Sequence, residues 1–102
     1  MASDQNTELA EIFHLLGDAN RLSIVLRCLD EPVGVGELAD GLGLSQSLVS
    51  HHLRLLRAAR LVRGKRDGKF VRYIAADDHV RDMLKNMTAH VDEACEGDCG
   101  DD

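Results

Sequence analysis

The stretch Leu44-Ser45-Gln46-Ser47-Leu48-Val49-Ser50-His51-His52-Leu53-Arg54-Leu55-Leu56 is followed, after Arg57-Ala58-Ala59-Arg60, by Leu61-Val62-Arg63-Gly64-Lys65-Arg66-Asp67-Gly68-Lys69-Phe70-Val71-Arg72-Tyr73-Ile74, and the pair decides how this chain folds. Ser45 is a residue type that caps helix N-termini. Behind it Leu48, Val49, Leu53, Leu55 and Leu56 recur at helical spacing, which places them inside. From Leu61 the period changes to two. Asp67-Gly68, set between two alternating runs, predicts a β-hairpin closed by a type I′ turn.

The flanks supply the remaining elements. Thr7 can cap a first helix carrying Leu9, Ile12, Phe13 and Leu16, which Gly17 ends. Asp18 or Asn20 starts a second, with Leu22, Ile24, Val25, Leu26 and Leu29 apolar, stopped by Glu31-Pro32. Val35, Leu38, Ala39 and Leu42 form a short third stripe closed by Gly41 and Gly43. After the hairpin, Asp77 or Asp78 caps a last helix with Val80, Met83, Leu84, Met87 and Val91 on one stripe. The order α-α-α-α-β-β-α is that of a mainly α winged helix-turn-helix. Residues 8–94 make one domain between a flexible start, 1–7, and an acidic tail, 95–102.

Length allows one domain and no more: the chain has 102 residues. With 44% apolar residues, 29% charged and one proline, it has a core to bury, and collagen-like or wholly disordered classes are excluded. No apolar run approaches the ~18 residues that cross a bilayer, and the N-terminus lacks the basic region of a signal peptide. A cytoplasmic protein with no membrane partner is expected. Three cysteines, Cys28, Cys95 and Cys99, do not form the even framework of a small secreted domain. Three aromatics do not make a stacking platform for single strands.

A net charge of −6 argues against a polyanionic partner until its distribution is read. Residues 54–72 hold Arg54, Arg57, Arg60, Arg63, Lys65, Arg66, Lys69 and Arg72 against the single acid Asp67, while residues 77–102 are strongly acidic. One surface suits phosphates and another does not. The helix opening at Ser45 carries short hydrogen-bonding side chains: Gln46, Ser47, Ser50 and His51 can meet base edges or phosphates in a major groove. Arg54 and Arg57, with Arg66 and Lys69 of the hairpin, would anchor phosphates. Ser45 itself reads as a cap. Double-stranded DNA is thus the expected partner. A chain this short, with no α/β pocket pattern, is not read as an enzyme, and no small-molecule substrate is expected.

These residues resemble the ArsR/SmtB family of metal-sensing repressors. Leu16-Gly17-Asp18-Ala19-Asn20-Arg21 is similar to the family's LxDxxR opening, Leu44 through Leu56 to its recognition helix, and Leu61 through Gly68 to its wing. The likeness runs from about residue 8 to 94. It implies a homodimer, joined through the first and last helices, that sits on an inverted-repeat operator and leaves when metal binds.

The last helix carries Asp77, His79, His90 and Glu93, all acceptable ligands for a borderline divalent cation. At ~1.5 Å rise per residue the first pair lies about 17–24 Å from the second, so one helix cannot bring all four to one ion. Two copies run antiparallel about a two-fold axis near Lys85 would set 77 against 93 and 79 against 90, giving two sites per dimer. His79 and His90 are eleven residues apart, within about 20° of the same direction. Met83, Leu84 and Met87 lie between the two ends and could seal the interface. The same Asp-x-His and His-x-x-Glu spacing belongs to the family's zinc-sensing members. Two carboxylates and two imidazoles suit Zn(II), with Co(II) as a stand-in; Ni(II) would want further ligands, which Cys95 and Cys99 in the tail could supply.

Cys95-x-x-x-Cys99 could instead make the protein a thiol-redox sensor. The Cys-x-Cys that soft-metal sensors of the family place at the third helix is replaced by Gly34 and Gly36, which disfavours a site there, and Cys28 reads as a small core residue. The resemblance also implies that a main-chain carbonyl near Arg60 holds the non-ligating nitrogen of His90.

Overall fold

The structure, a computed structural model, describes residues 2–94; Cys95 and Cys99 lie outside the described residues. Helix α1 (Ala2–Leu16) leads into α2 (Ala19–Arg27), the two-residue strand β1 (Val33–Gly34) and α3 (Val35–Leu42). Then come α4 (Gln46–Ala58), β2 (Val62–Asp67), β3 (Phe70–Ala75) and α5 (Asp78–Ala94). This is the expected winged helix-turn-helix, with one strand more.

Local chemistry sets the boundaries. Asp18 caps α2, its Oδ1 accepting from the backbone N–H of Asn20 at 2.9 Å and of Arg21 at 3.1 Å. The Arg21 side chain turns back, Nε donating at 2.9 Å to the Leu15 carbonyl, which also accepts from Asp18 N at 3.4 Å, and so adds a second bond at the end of α1. Helix α3 ends at Gly43, whose φ of 69° is left-handed, a conformation glycine adopts without steric cost. Ser45 then opens α4, its side chain accepting from Leu48 N at 3.1 Å. Helix α4 closes with a Schellman arrangement: Leu61 N donates to Leu56 O and Arg60 N to Arg57 O, both at 2.9 Å. The left-handed residue there is Arg60, at φ 63°.

Several expectations are corrected. Helix α1 begins at Ala2, so Thr7 lies inside it and does not cap it. Helix α2 stops at Arg27, before Glu31-Pro32, and Gly41 lies within α3. The hairpin pairs Asp67 with Phe70, which makes Gly68-Lys69 the two central turn residues. Only Gly68 has positive φ, 65°, the sign pattern of a II′ turn in place of the expected I′. The shift puts glycine at the one position that needs it. Strand β1 was not anticipated; it pairs antiparallel with β3 through Val33 and Tyr73, giving the sheet order β1-β3-β2.

The core is shared by every layer: Ile24 and Val25 of α2, Cys28, Leu38 of α3, Val49, Leu53 and Leu56 of α4, Leu61 and Val62 entering the wing, Ala75 leaving it, and Leu84 of α5. Full burial of one such aliphatic side chain contributes about 1.5–3 kcal/mol, so the core fixes α4 against the other helices and the wing. Leu48, expected inside, is instead turned outward. No helix among the described residues is long and apolar enough to cross a membrane.

Candidate nucleic-acid interface and ligand-bearing helix

Helix α4 is two-sided. Val49, His52, Leu53 and Leu56 are buried, and Gln46, Ser47, Ser50, His51 and Arg54 are all exposed. The polar row proposed for base and phosphate contact is therefore free of the core, while the apolar row anchors the helix rigidly beneath it. Ser45 is occupied by its capping bond, as read from the sequence.

His52 is a residue the sequence reading passed over. Its side chain is buried, and Nδ1 has no hydrogen-bond partner. Desolvation pushes its pKa below the usual 6.5, opposed in part by the nearby Asp18 carboxylate. Asp18 is itself held below the ordinary carboxylate range, chiefly by the Arg21 backbone N–H it accepts from. The signal was available: position 52 completes the buried i, i+3, i+4, i+7 row begun at Val49.

The wing presents cations. Arg66 and Lys69 are exposed, as are Arg63 and Lys65. Arg72 stands opposite Lys65, a like-charge pair that costs stability by itself. Its guanidinium lies 3.4 Å from Asp67 and 3.5 Å from Glu37, which neutralises the wing's single acid. Glu37 is itself fixed by accepting from Gly34 N at 3.0 Å. Arg72 is thus committed within the fold, and Arg63, Lys65, Arg66 and Lys69 remain for a polyanion.

Helix α5 and the capping residue before it carry the four proposed metal donors. Asp77, His79, His90 and Glu93 are all exposed. Asp77 also caps the helix, its Oδ1 accepting from Val80 N at 3.0 Å. Among the described residues, no three His, Cys, Asp or Glu side chains converge within the single chain, so the four are not brought together here. The apolar stripe between the two ends is divided. Leu84 is buried in the chain's own core, so it cannot seal an interface as expected; Met87 and Val91 are 51% and 62% exposed. Leu9 and Phe13 of α1 are exposed as well.

Arg60 sits at the end of α4, its exposed guanidinium 3.9 Å from Glu8 of α1. Cys28 is buried and free, and desolvation pushes its thiol up to about 12.

Comparison with known proteins decides the family. Residues 18–63 match the model of the bacterial regulatory proteins of the arsR family. A transcriptional repressor SmtB homolog from Synechocystis is 37% identical over 94 residues, covering 92% of this chain and 71% of that one. The chain belongs to the ArsR/SmtB family of metal-sensing transcriptional regulators.

The ArsR/SmtB likeness extends to solved structures. NmtR from Mycobacterium tuberculosis is 35% identical over 88 residues, covering 86% of this chain and 73% of that one. The solution structure of apo-NmtR matches with a TM-score of 0.77 at 33% identity, over 95% of this chain and 82% of that chain. A homodimeric winged helix-turn-helix DNA-binding domain from Mycobacterium bovis shares the fold at a TM-score of 0.87 and 22% identity, over 95% of this chain and 90% of that chain. As an ArsR/SmtB protein the chain is a regulator and not an enzyme. The match to the family model spans Asp18, all of α4 and the first residues of the wing, the segment whose capping and burial are described above.

Proposed function

We propose that this protein is a cytoplasmic homodimeric repressor that grips an inverted-repeat operator and releases it when a divalent metal, zinc foremost, is bound between two α5 helices. Gln46, Ser47, Ser50 and His51 read the major groove, while Arg54, Arg66 and Lys69 anchor phosphates. Each metal site takes Asp77 and His79 from one subunit and His90 and Glu93 from the other. Cobalt or nickel can occupy the same donors.

The observation that carries this reading is the layout of α5. Four exposed donors stand at its two ends, too far apart along the helix for a single ion, and the exposed Met87 and Val91 offer a second copy something to cover. The donor chemistry fits zinc: two carboxylates and two imidazoles complete a tetrahedron. The carboxylate of Asp77 is already oriented by its bond to Val80 and keeps a second oxygen for another partner.

A bound ion would favour the dimer geometry in which its ligands meet, and that bias is what couples it to DNA. Protein residues do the rest. The buried row of α4 ties each reading helix to its subunit, so any change in how the subunits sit changes the spacing of two helices that must meet grooves one duplex turn apart, about 34 Å. The main-chain carbonyl near Arg60, at the end of α4, is the proposed partner for the non-ligating nitrogen of His90.

Fluorescence anisotropy on a labelled duplex from the DNA upstream of the coding sequence tests the proposal. The wild type binds and is released by zinc. The His90→Ala variant binds equally well without metal and stays bound when zinc is added; release of that variant by zinc contradicts the mechanism.

A further inference from the structure

We propose that Phe70, at the tip of the wing, is an apolar anchor that packs against the deoxyribose edge of bound duplex DNA, an affinity-giving contact independent of the phosphates. The proposal rests on the DNA-binding reading above and deepens it. Phe70 is 71% exposed, the most exposed of the large apolar side chains among the described residues. Alternation along the hairpin puts it on the same sheet face as Arg63, Lys65 and Arg72.

The ring is therefore an apolar tip set in a row of cations. With Asp67 neutralised by Arg72, the partner selected by this surface is a polyanion with apolar edges. The sugar-phosphate backbone is such a partner, and apolar side chains entering a minor groove are an established way of holding it.

A second observation gives the direction. A cleft of about 530 Å³ runs between the wing tip and the start of the reading helix, and Gln46, Lys69, Phe70 and Tyr73 line it together. Gln46 is the first helical residue of α4, so the phenyl ring and the base-reading end open into one concavity. A DNA strand whose bases meet Gln46 passes next over this cleft, where Lys69 meets its phosphate and Phe70 its sugar.

The test separates an apolar contact from an ionic one. Each phosphate contact steepens the fall of affinity with salt, whereas an apolar contact leaves the slope unchanged. Anisotropy titrations over a range of salt use a duplex of about 30 base pairs from upstream of the coding sequence and a random one of equal length, each long enough to span two successive grooves. Phe70→Ala weakens binding by ~10-fold on a line parallel to the wild type, while Lys69→Ala, which removes one phosphate contact from each subunit of the dimer, flattens the slope by about two. Phe70→Leu, which keeps an apolar tip, retains most of the affinity and guards against loss through misfolding. Wild-type affinity in Phe70→Ala, with Lys69→Ala still flattened, overturns the anchor and leaves the DNA reading intact. Absence of any salt-dependent binding by the wild type sinks both. A smaller sedimentation coefficient for Phe70→Ala than for the wild type, without DNA, would assign the ring to a contact between copies and also overturn the proposal.

Discussion

Asp77 Oδ1 accepts the backbone N–H of Val80 at 3.0 Å, so one carboxylate both starts α5 and stands as a proposed metal ligand. The two roles separate by substitution. Asn caps helices as well as Asp does, so Asp77→Asn leaves thermal stability within ~0.5 kcal/mol of the wild type, whereas Asp77→Ala costs about 1 kcal/mol. Both lose zinc affinity in a chelator competition, because neither offers an anionic oxygen. Unchanged zinc affinity in Asp77→Asn would remove Asp77 from the ligand set.

Arg60 holds a left-handed backbone at the end of α4, where the Schellman bonds of Leu61 and Arg60 close the helix. An L side chain in that region costs about 1–2 kcal/mol, part of which glycine gives back as greater freedom when unfolded. The ion pair to Glu8 is 3.9 Å long between exposed groups and contributes little. Arg60→Gly is therefore expected to raise stability by roughly 0.5–1 kcal/mol, and Arg60→Val to lower it by more than ~1 kcal/mol, in urea unfolding.

His52 makes stability depend on pH. Its folded-state pKa lies below the unfolded value near 6.5, so the unfolded chain takes up the proton first. Stability is full above about pH 7, falls as pH drops through 6.5, and levels once pH is below the folded pKa. His52→Leu, which fills the site without a titrating group, flattens that part of the curve. An equal slope in the variant between pH 7 and pH 5 would show that other groups carry it.

Cys28 is inert in the native state, since its thiol is buried with a pKa near 12 and the thiolate is the reactive form. In a Cys95→Ser/Cys99→Ser chain, a thiol reagent at pH 8 reacts with nothing until denaturant is added, and then with one group per chain. Prompt reaction in the native state would place Cys28 outside the core.

Much of this was legible in the residues because the signals were local. The switch from helical spacing before Arg60 to alternation after Leu61 marked the recognition helix and the wing, and Asp18, Ser45 and Asp77 are caps whose residue type announces them. What was missed depends on distant partners. Val33-Gly34 is too short to show a period and becomes a strand only because Tyr73, far along the chain, lies beside it. Leu84 read as interface and is core, since periodicity gives a face but not its occupant. The hairpin slipped by one residue because Asp67-Gly68 and Gly68-Lys69 both suit a two-residue turn, and only cross-strand packing chooses between them.

The central claim, that each metal site is completed across two subunits, is tested by mixing two defective chains. His79→Ala and His90→Ala proteins are unfolded together and refolded, and Co(II) absorption is read on the mixture and on each alone. Neither variant alone binds tightly, and the mixed dimer recovers about one tetrahedral ion, because its intact His79 and intact His90 come from different chains. A mixture that binds no better than its two components, or a single variant that binds like the wild type, contradicts the account.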